Sequence, residues 1–288
     1  MAIRFVLVPV YGMASDHAAL DTADTIAQRW GAHVEALHVR RNPNEAVPIV
    51  GEGLSGPMVE EIIKAAEKDG VMRADNARAS YDTWRARANL NHVEGASAQT
   101  GNTCSWREIV GRPETVVPRA ARFADLVVAA RPSDELDVTQ AVTLEATIFG
   151  CGRPIMLAPT KPPSSFPTTI AIAWNGSTEA TRATTAALPY LAGAKSVMIL
   201  VVPESDTMAD DAKALADYLL WQGVNANVLT FKPDFRHVGA ALLAEAAKAG
   251  AELIVIGAYT HSWLRQMIMG GVTRQVLAGA QIPVLMVH

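Results

Sequence analysis

The chain has 288 residues, half of them hydrophobic and 19% charged, with a net charge of −4. That is length for two domains or one large one, and enough apolar content for a substantial core. Basic residues are spread rather than clustered, which argues against a nucleic-acid partner, and no apolar stretch approaches the roughly 20 residues of a membrane span.

Short apolar runs alternate with amphipathic helical stretches from the first residues onward, the pattern of a parallel α/β sheet. Phe5-Val6-Leu7-Val8-Pro9-Val10 is the first expected strand. Met1–Val8 is too short for the apolar region of a secretion signal, has no small-residue cleavage site and runs straight into this strand, so a cytoplasmic location is expected. An Ala-rich helix is expected from Ser15 to Trp30, closed by Gly31-Ala32, and a second strand over Val34–Val39. Residues 40–102 then hold a Pro/Gly-rich loop and a long helix from about Met58 to Asn89, with Val59, Ile62, Ile63 and Ala66 at helical spacing. Ala124–Val128 reads as the fourth strand of this half and Arg153–Leu157 as its closing strand. Cys104 and Cys151 are far apart and form no CxxC or zinc spacing, so both are expected as buried thiols.

Four prolines lie in the nine residues Pro159–Pro167, a short semi-rigid linker. The pattern then repeats. A strand over Thr169–Trp174 leads to a helix from Ser177 to Leu191 and Gly193-Ala194, with a strand over Val197–Val202 next. Ala251–Val255 matches Ala124–Val128, and Ile282–Met286 matches Arg153–Leu157. Ser177 lies 162 positions after Ser15 and Ala251 lies 127 after Ala124, so the first half holds 35 more residues, within 40–102. Each half is therefore expected to be a five-stranded, doubly wound parallel sheet with helices on both faces: residues 1–159, a linker at 160–167, and residues 168–288.

Ligands of such sheets bind beyond the carboxyl ends of the strands, where strand order reverses. In the second half that place is flanked by Trp174-Asn175-Gly176-Ser177 and by the loop after Leu253–Ile256. The latter contains Gly257, two residues, Thr260, nine residues and Gly270-Gly271, followed by Val272-Thr273 at the start of a helix. Free backbone N–H groups and the helix dipole favour an anion in such a layout. Asn175 can offer an amide to a ribose or base, Ser177 can cap the next helix, and His261, Arg265 and Arg274 add positive charge. The alternative reading of the glycines is turn chemistry and close helix–sheet packing. In the first half the matching loops are Tyr11-Gly12-Met13 and Arg131–Asp137, the latter with three acidic residues and no glycine. The sequence contains no P-loop, no GxSxG elbow and no metal-ligand spacing.

Ala173–Ser177, Gly257–Thr273 and Ile282–Val287 resemble the universal stress proteins, and the chain resembles a tandem member with two fused Rossmann-like copies. The resemblance implies a non-enzymatic cytoplasmic stress protein whose binding members hold ATP in the crevice. It also implies an intramolecular pseudo-dimer joined through the last strands, here Ile155-Met156-Leu157 and Val284-Leu285-Met286. The residues it nominates for an adenine nucleotide, ATP or AMP, are Trp174, Asn175, Val202, Gly257, Thr260, Gly270, Gly271, Val272 and Thr273. Three of them depart from the binders' pattern: Thr260 stands for a glycine, Gly271 for a serine or threonine, and Asn175 for an aspartate. These changes imply weak binding. A protein partner, further homodimerisation and no membrane partner complete the expectation. The rival expectations are a nucleotide-independent scaffold whose crevices are closed by Trp174, Tyr259, Trp263 and Met269, and a slow ATPase.

Overall fold

A computed structural model describes residues 2–46, 55–96, 101, 103–132, 138–203, 206–232, 238–258 and 272–288. These form two compact units, Arg4–Cys151 and Gly152–His288, the latter with Ala2 and Ile3.

The first unit runs β1 (Phe5–Val10), α1 (Ser15–Trp30), β2 (His33–Arg40), α2 (Gly56–Ala88), β3 (Asn91–His92), β4 (Thr103–Val110), α3 (Pro113–Ala121), β5 (Leu126–Ala129) and α4 (Val138–Gly150). Its strands stand in the order β3-β4-β2-β1-β5, all parallel. Val6, Leu7, Val8 and Leu126–Val128 are buried on both faces of their strands, as a sheet covered by helices requires. Helix α1 stops where expected: Gly31 takes the left-handed φ of 62° and caps the helix. The long α2 packs mainly through its carboxyl half, where Tyr81 and Trp84 are fully buried. Tyr81 lies 5.6 Å from the Trp106 ring of β4. The expected stripe at Val59, Ile62, Ile63 and Ala66 is only half-buried. The two-residue β3, paired to β4 at Asn91↔Thr103 and His92↔Cys104, was not foreseen. Both cysteines are buried, and neither is in a disulfide.

The second unit runs β6 (Ile155–Leu157), β7 (Thr169–Trp174), α5 (Thr178–Leu191), β8 (Ser196–Val201), α6 (Asp206–Trp221), β9 (Ala226–Thr230), α7 (Val238–Lys248), β10 (Leu253–Gly257), α8 (Val272–Gly279) and β11 (Val284–Val287). The order is β6-β11-β10-β7-β8-β9. Strands β7 to β11 are parallel. Strand β6 runs antiparallel to β11, with Leu157↔Val284, Met156↔Leu285 and Ile155↔Met286. The two apolar segments nominated as a seam do pair. In the proline-rich stretch before β7, Phe166 stacks on the buried Tyr190 of α5, with ring centroids 5.5 Å apart and planes within 3°. This gives the linker a fixed point beyond the stiffness of its prolines.

The internal repeat extends to single hydrogen bonds. In the first unit the Asp125 carboxylate, just before β5, accepts from the amides of Arg4 (2.8 Å) and Phe5 (3.0 Å) at the start of β1. In the second unit Glu252, just before β10, accepts from the amides of Thr168 (2.6 Å) and Thr169 (3.1 Å) at the start of β7. The Thr168 and Thr169 amides hold the Glu252 carboxyl below its ordinary range.

Candidate functional site

In the second unit, strand order reverses between β7 and β10: β8 continues the sheet on one side of β7, and β10 and β11 on the other. The register pairs Ile256 with Ala173 and Trp174 with Val201. Trp174 thus ends its strand beside Val201, and Gly257 and Val202 lie at the ends of the flanking strands. Four of the nominated residues, Trp174, Asn175, Val202 and Gly257, are therefore gathered at one edge of the sheet.

The β7–α5 loop is built from its own side chains. Asn175 Oδ1 accepts from the Ser177 amide at 3.2 Å. Gly176 adopts φ of 72°, which a glycine tolerates without strain. Ser177 Oγ accepts from the Ala180 amide at 3.1 Å, the expected N-cap. The Trp174 indole nitrogen is buried without a hydrogen-bond partner among the described residues.

Gly257 is bare for a packing reason. A Cβ there would lie 2.6 Å from the Ala180 nitrogen and 2.8 Å from the Glu179 carbonyl carbon. The missing side chain lets the amino end of α5 rest on the end of β10, so the helix dipole is directed at the point of strand reversal. The equivalent residue of the first unit is Ala130, which carries a Cβ. Of the remaining nominated residues, Thr260, Gly270 and Gly271 lie outside the described residues, as do Tyr259, His261, Trp263, Arg265 and Met269. Val272 opens α8 and is exposed, and its carbonyl packs against Gly239 of α7. Thr273 follows it in the helical backbone.

One residue at this edge was not foreseen. Asp211 of α6 places Oδ2 3.6 Å from where a Cβ of Gly176 would be. An exposed carboxylate therefore borders the loop that was expected to meet a ligand. The signal for it lay in the pair Asp210-Asp211 in the early part of a helix following the second strand. Its distance from Gly176 is a tertiary fact.

The first unit treats the same place differently. Asp16, the second residue of α1, is fully buried. Its carboxylate accepts from the amides of Tyr11 (3.0 Å), Gly12 (2.7 Å) and Met13 (3.1 Å). Burial pushes its carboxyl up to about 6, against the opposing pull of the three amides. The native state thus binds a proton that the unfolded state releases between about 4 and about 6. Asp16 contributes stability that is present below about pH 4 and lost as pH rises through about 6. Over that window the loss amounts to about 3 kcal/mol. Urea unfolding across pH 4 to 7 is expected to show this decline in the wild type and not in Asp16→Asn. Parallel profiles for the two proteins would refute it.

Residues 168–288 match the model of the universal stress protein family. The likeness to that family is carried by these residues. The fold likeness extends beyond residues 168–288. A universal stress protein from Archaeoglobus fulgidus DSM 4304 is similar with a TM-score of 0.65 and 15% identity, over 98% of this chain and 95% of the other. A putative universal stress protein from Pseudomonas aeruginosa UCBPP-PA14 is similar with a TM-score of 0.56 and 15% identity, over 99% and 93%. At such identities the likeness is one of fold. No curated protein matches the sequence. No helix among the described residues is long and apolar enough to cross a membrane, and no cluster of three or more metal-ligating side chains occurs among them.

Proposed function

We propose that the second unit binds an adenine nucleotide, ATP or AMP, weakly at the carboxyl ends of β7, β8 and β10. On this reading the protein acts in a stress response through binding rather than catalysis. The observation that carries it is the convergence of Trp174, Asn175, Val202 and the bare Gly257 where strand order reverses, with the amino end of α5 directed there. The indole N–H of Trp174, unpartnered among the described residues, adds a donor at the same edge. Weakness follows from what the loop already spends. Asn175 Oδ1 is engaged by Ser177, and the Asp211 carboxylate borders Gly176 and repels phosphate. A cytoplasmic location and homodimerisation belong to the same proposal.

The second reading is a scaffold that needs no nucleotide. It is favoured by the use of Gly257 and Asn175 for the chain's own packing and turn. Isothermal titration with ATP and AMP separates the two. We expect a dissociation constant of roughly a millimolar, about 4 kcal/mol of binding. Asp211→Asn is expected to tighten it several-fold by removing a like charge. No heat of binding at about 10 millimolar nucleotide would leave the scaffold reading standing.

A further inference from the structure

The first unit's β1–α1 loop is fastened by two separate elements of its own chain. From one side, the buried Asp16 carboxylate gathers the amides of Tyr11, Gly12 and Met13. From the other side, α2 lies against the loop so closely that a Cβ on Gly12 would overlap the Arg73 carbonyl oxygen and come within 2.9 Å of the Arg73 Cα. Gly12 itself sits at φ of 75°, the conformation that turns its amide toward Asp16. The strand end beneath is also engaged: the Val10 carbonyl accepts from Nδ1 of the buried His38, at 2.9 Å. Three converging amides make a concavity that favours an anion. Here the anion is already covalently part of the chain.

We propose that Asp16 and helix α2 form an internal lock that holds the first unit's β1–α1 loop shut, reserving its amides for the chain's own carboxylate and closing this crevice to external anions. Among the described residues the second unit has no such lock. Its loop is closed by the neutral Asn175 and Ser177 side chains, and α6, which follows β8 as α2 follows β2, borders it through the Asp211 side chain, 3.6 Å from where a Gly176 Cβ would be, and not through helix backbone. The inference goes beyond the nucleotide reading of the second unit and stands if that reading fails.

Amide NMR of the full chain tests it, with inorganic phosphate as the probe. In the wild type the Tyr11, Gly12 and Met13 amides are expected to exchange slowly with solvent and to keep their positions through a phosphate titration. Asp16→Asn exchanges one carboxylate oxygen for an NH₂ donor facing other donors. It is expected to speed exchange of these three amides about tenfold, while Leu20 and Ala23 within α1 keep their protection and report an intact helix. Saturable shifts of the three amides with phosphate in the wild type would overturn the lock. So would unchanged protection in Asp16→Asn. The wild-type titration decides the matter alone if the variant does not fold.

Discussion

Gly12→Ala is expected to be the most damaging single methyl group that can be added to the first unit. Two costs combine. The added Cβ must adopt a left-handed φ of 75°, which is strained for any side-chain-bearing residue, at about 1 kcal/mol. It must also displace the Arg73 carbonyl of α2, and that carbonyl belongs to a helix backbone, which cannot rotate aside as a side chain would. Together these predict a loss of about 3–4 kcal/mol. The loop amides that serve Asp16 would shift with it. In the Gly12→Ala background, therefore, adding Asp16→Asn should no longer change the pH profile. Denaturant unfolding with a wild-type slope and a midpoint within error of the parent would contradict this.

In the second unit the matching experiment is Gly257→Ala. Its φ is not left-handed, so the whole cost is steric. The Cβ would stand 2.6 Å from the Ala180 nitrogen and 3.0 Å from the Glu179 Cβ, and α5 must move away from β10 to admit it. We expect a loss of about 2–3 kcal/mol and, with α5 displaced, a further weakening of any nucleotide affinity. The converse change, Ala130→Gly in the first unit, should cost only about 1 kcal/mol, because it removes one methyl group from a buried position without forcing a movement. A thermal-denaturation series of the two variants checks the contrast. Equal effects at the two positions would show that the tight approach of α5 to β10 is not what keeps residue 257 bare.

These two glycines mark how far sequence reasoning reaches. The repeat, the helix at Ser15–Trp30 and the cap at Ser177 were legible, because each rests on a local signal, an apolar period or a small polar residue before a helix, whereas the meeting of Ile155–Leu157 with Val284–Met286 was implied by the family resemblance and by no local signal. Gly257 was legible as a position needing a glycine, but a phosphate, a turn and a close helix leave the same trace in a sequence. Only the distance to Ala180 selects among them. Asp16 was not legible as a buried group. An acidic residue in a first helical turn ordinarily sits in solvent near the dipole, and its burial depends on how a distant part of the chain covers the loop. Likewise β3 is two residues long and carries no period at all.

The pairing of β6 with β11 means that the segment with a recognisable relationship and the segment that completes its own sheet differ in extent. A protein cut at residue 168 keeps every residue that matches the family but loses the strand that covers the edge of Val284–Met286. In the intact chain that strand arrives on the short tether of residues 158–168, at an effective concentration on the order of millimolar. The shortened protein has to find a replacement from solution, and a second molecule's identical edge is the nearest available. Its state of association should therefore depend on its concentration, where the intact chain's sheet is completed at any dilution.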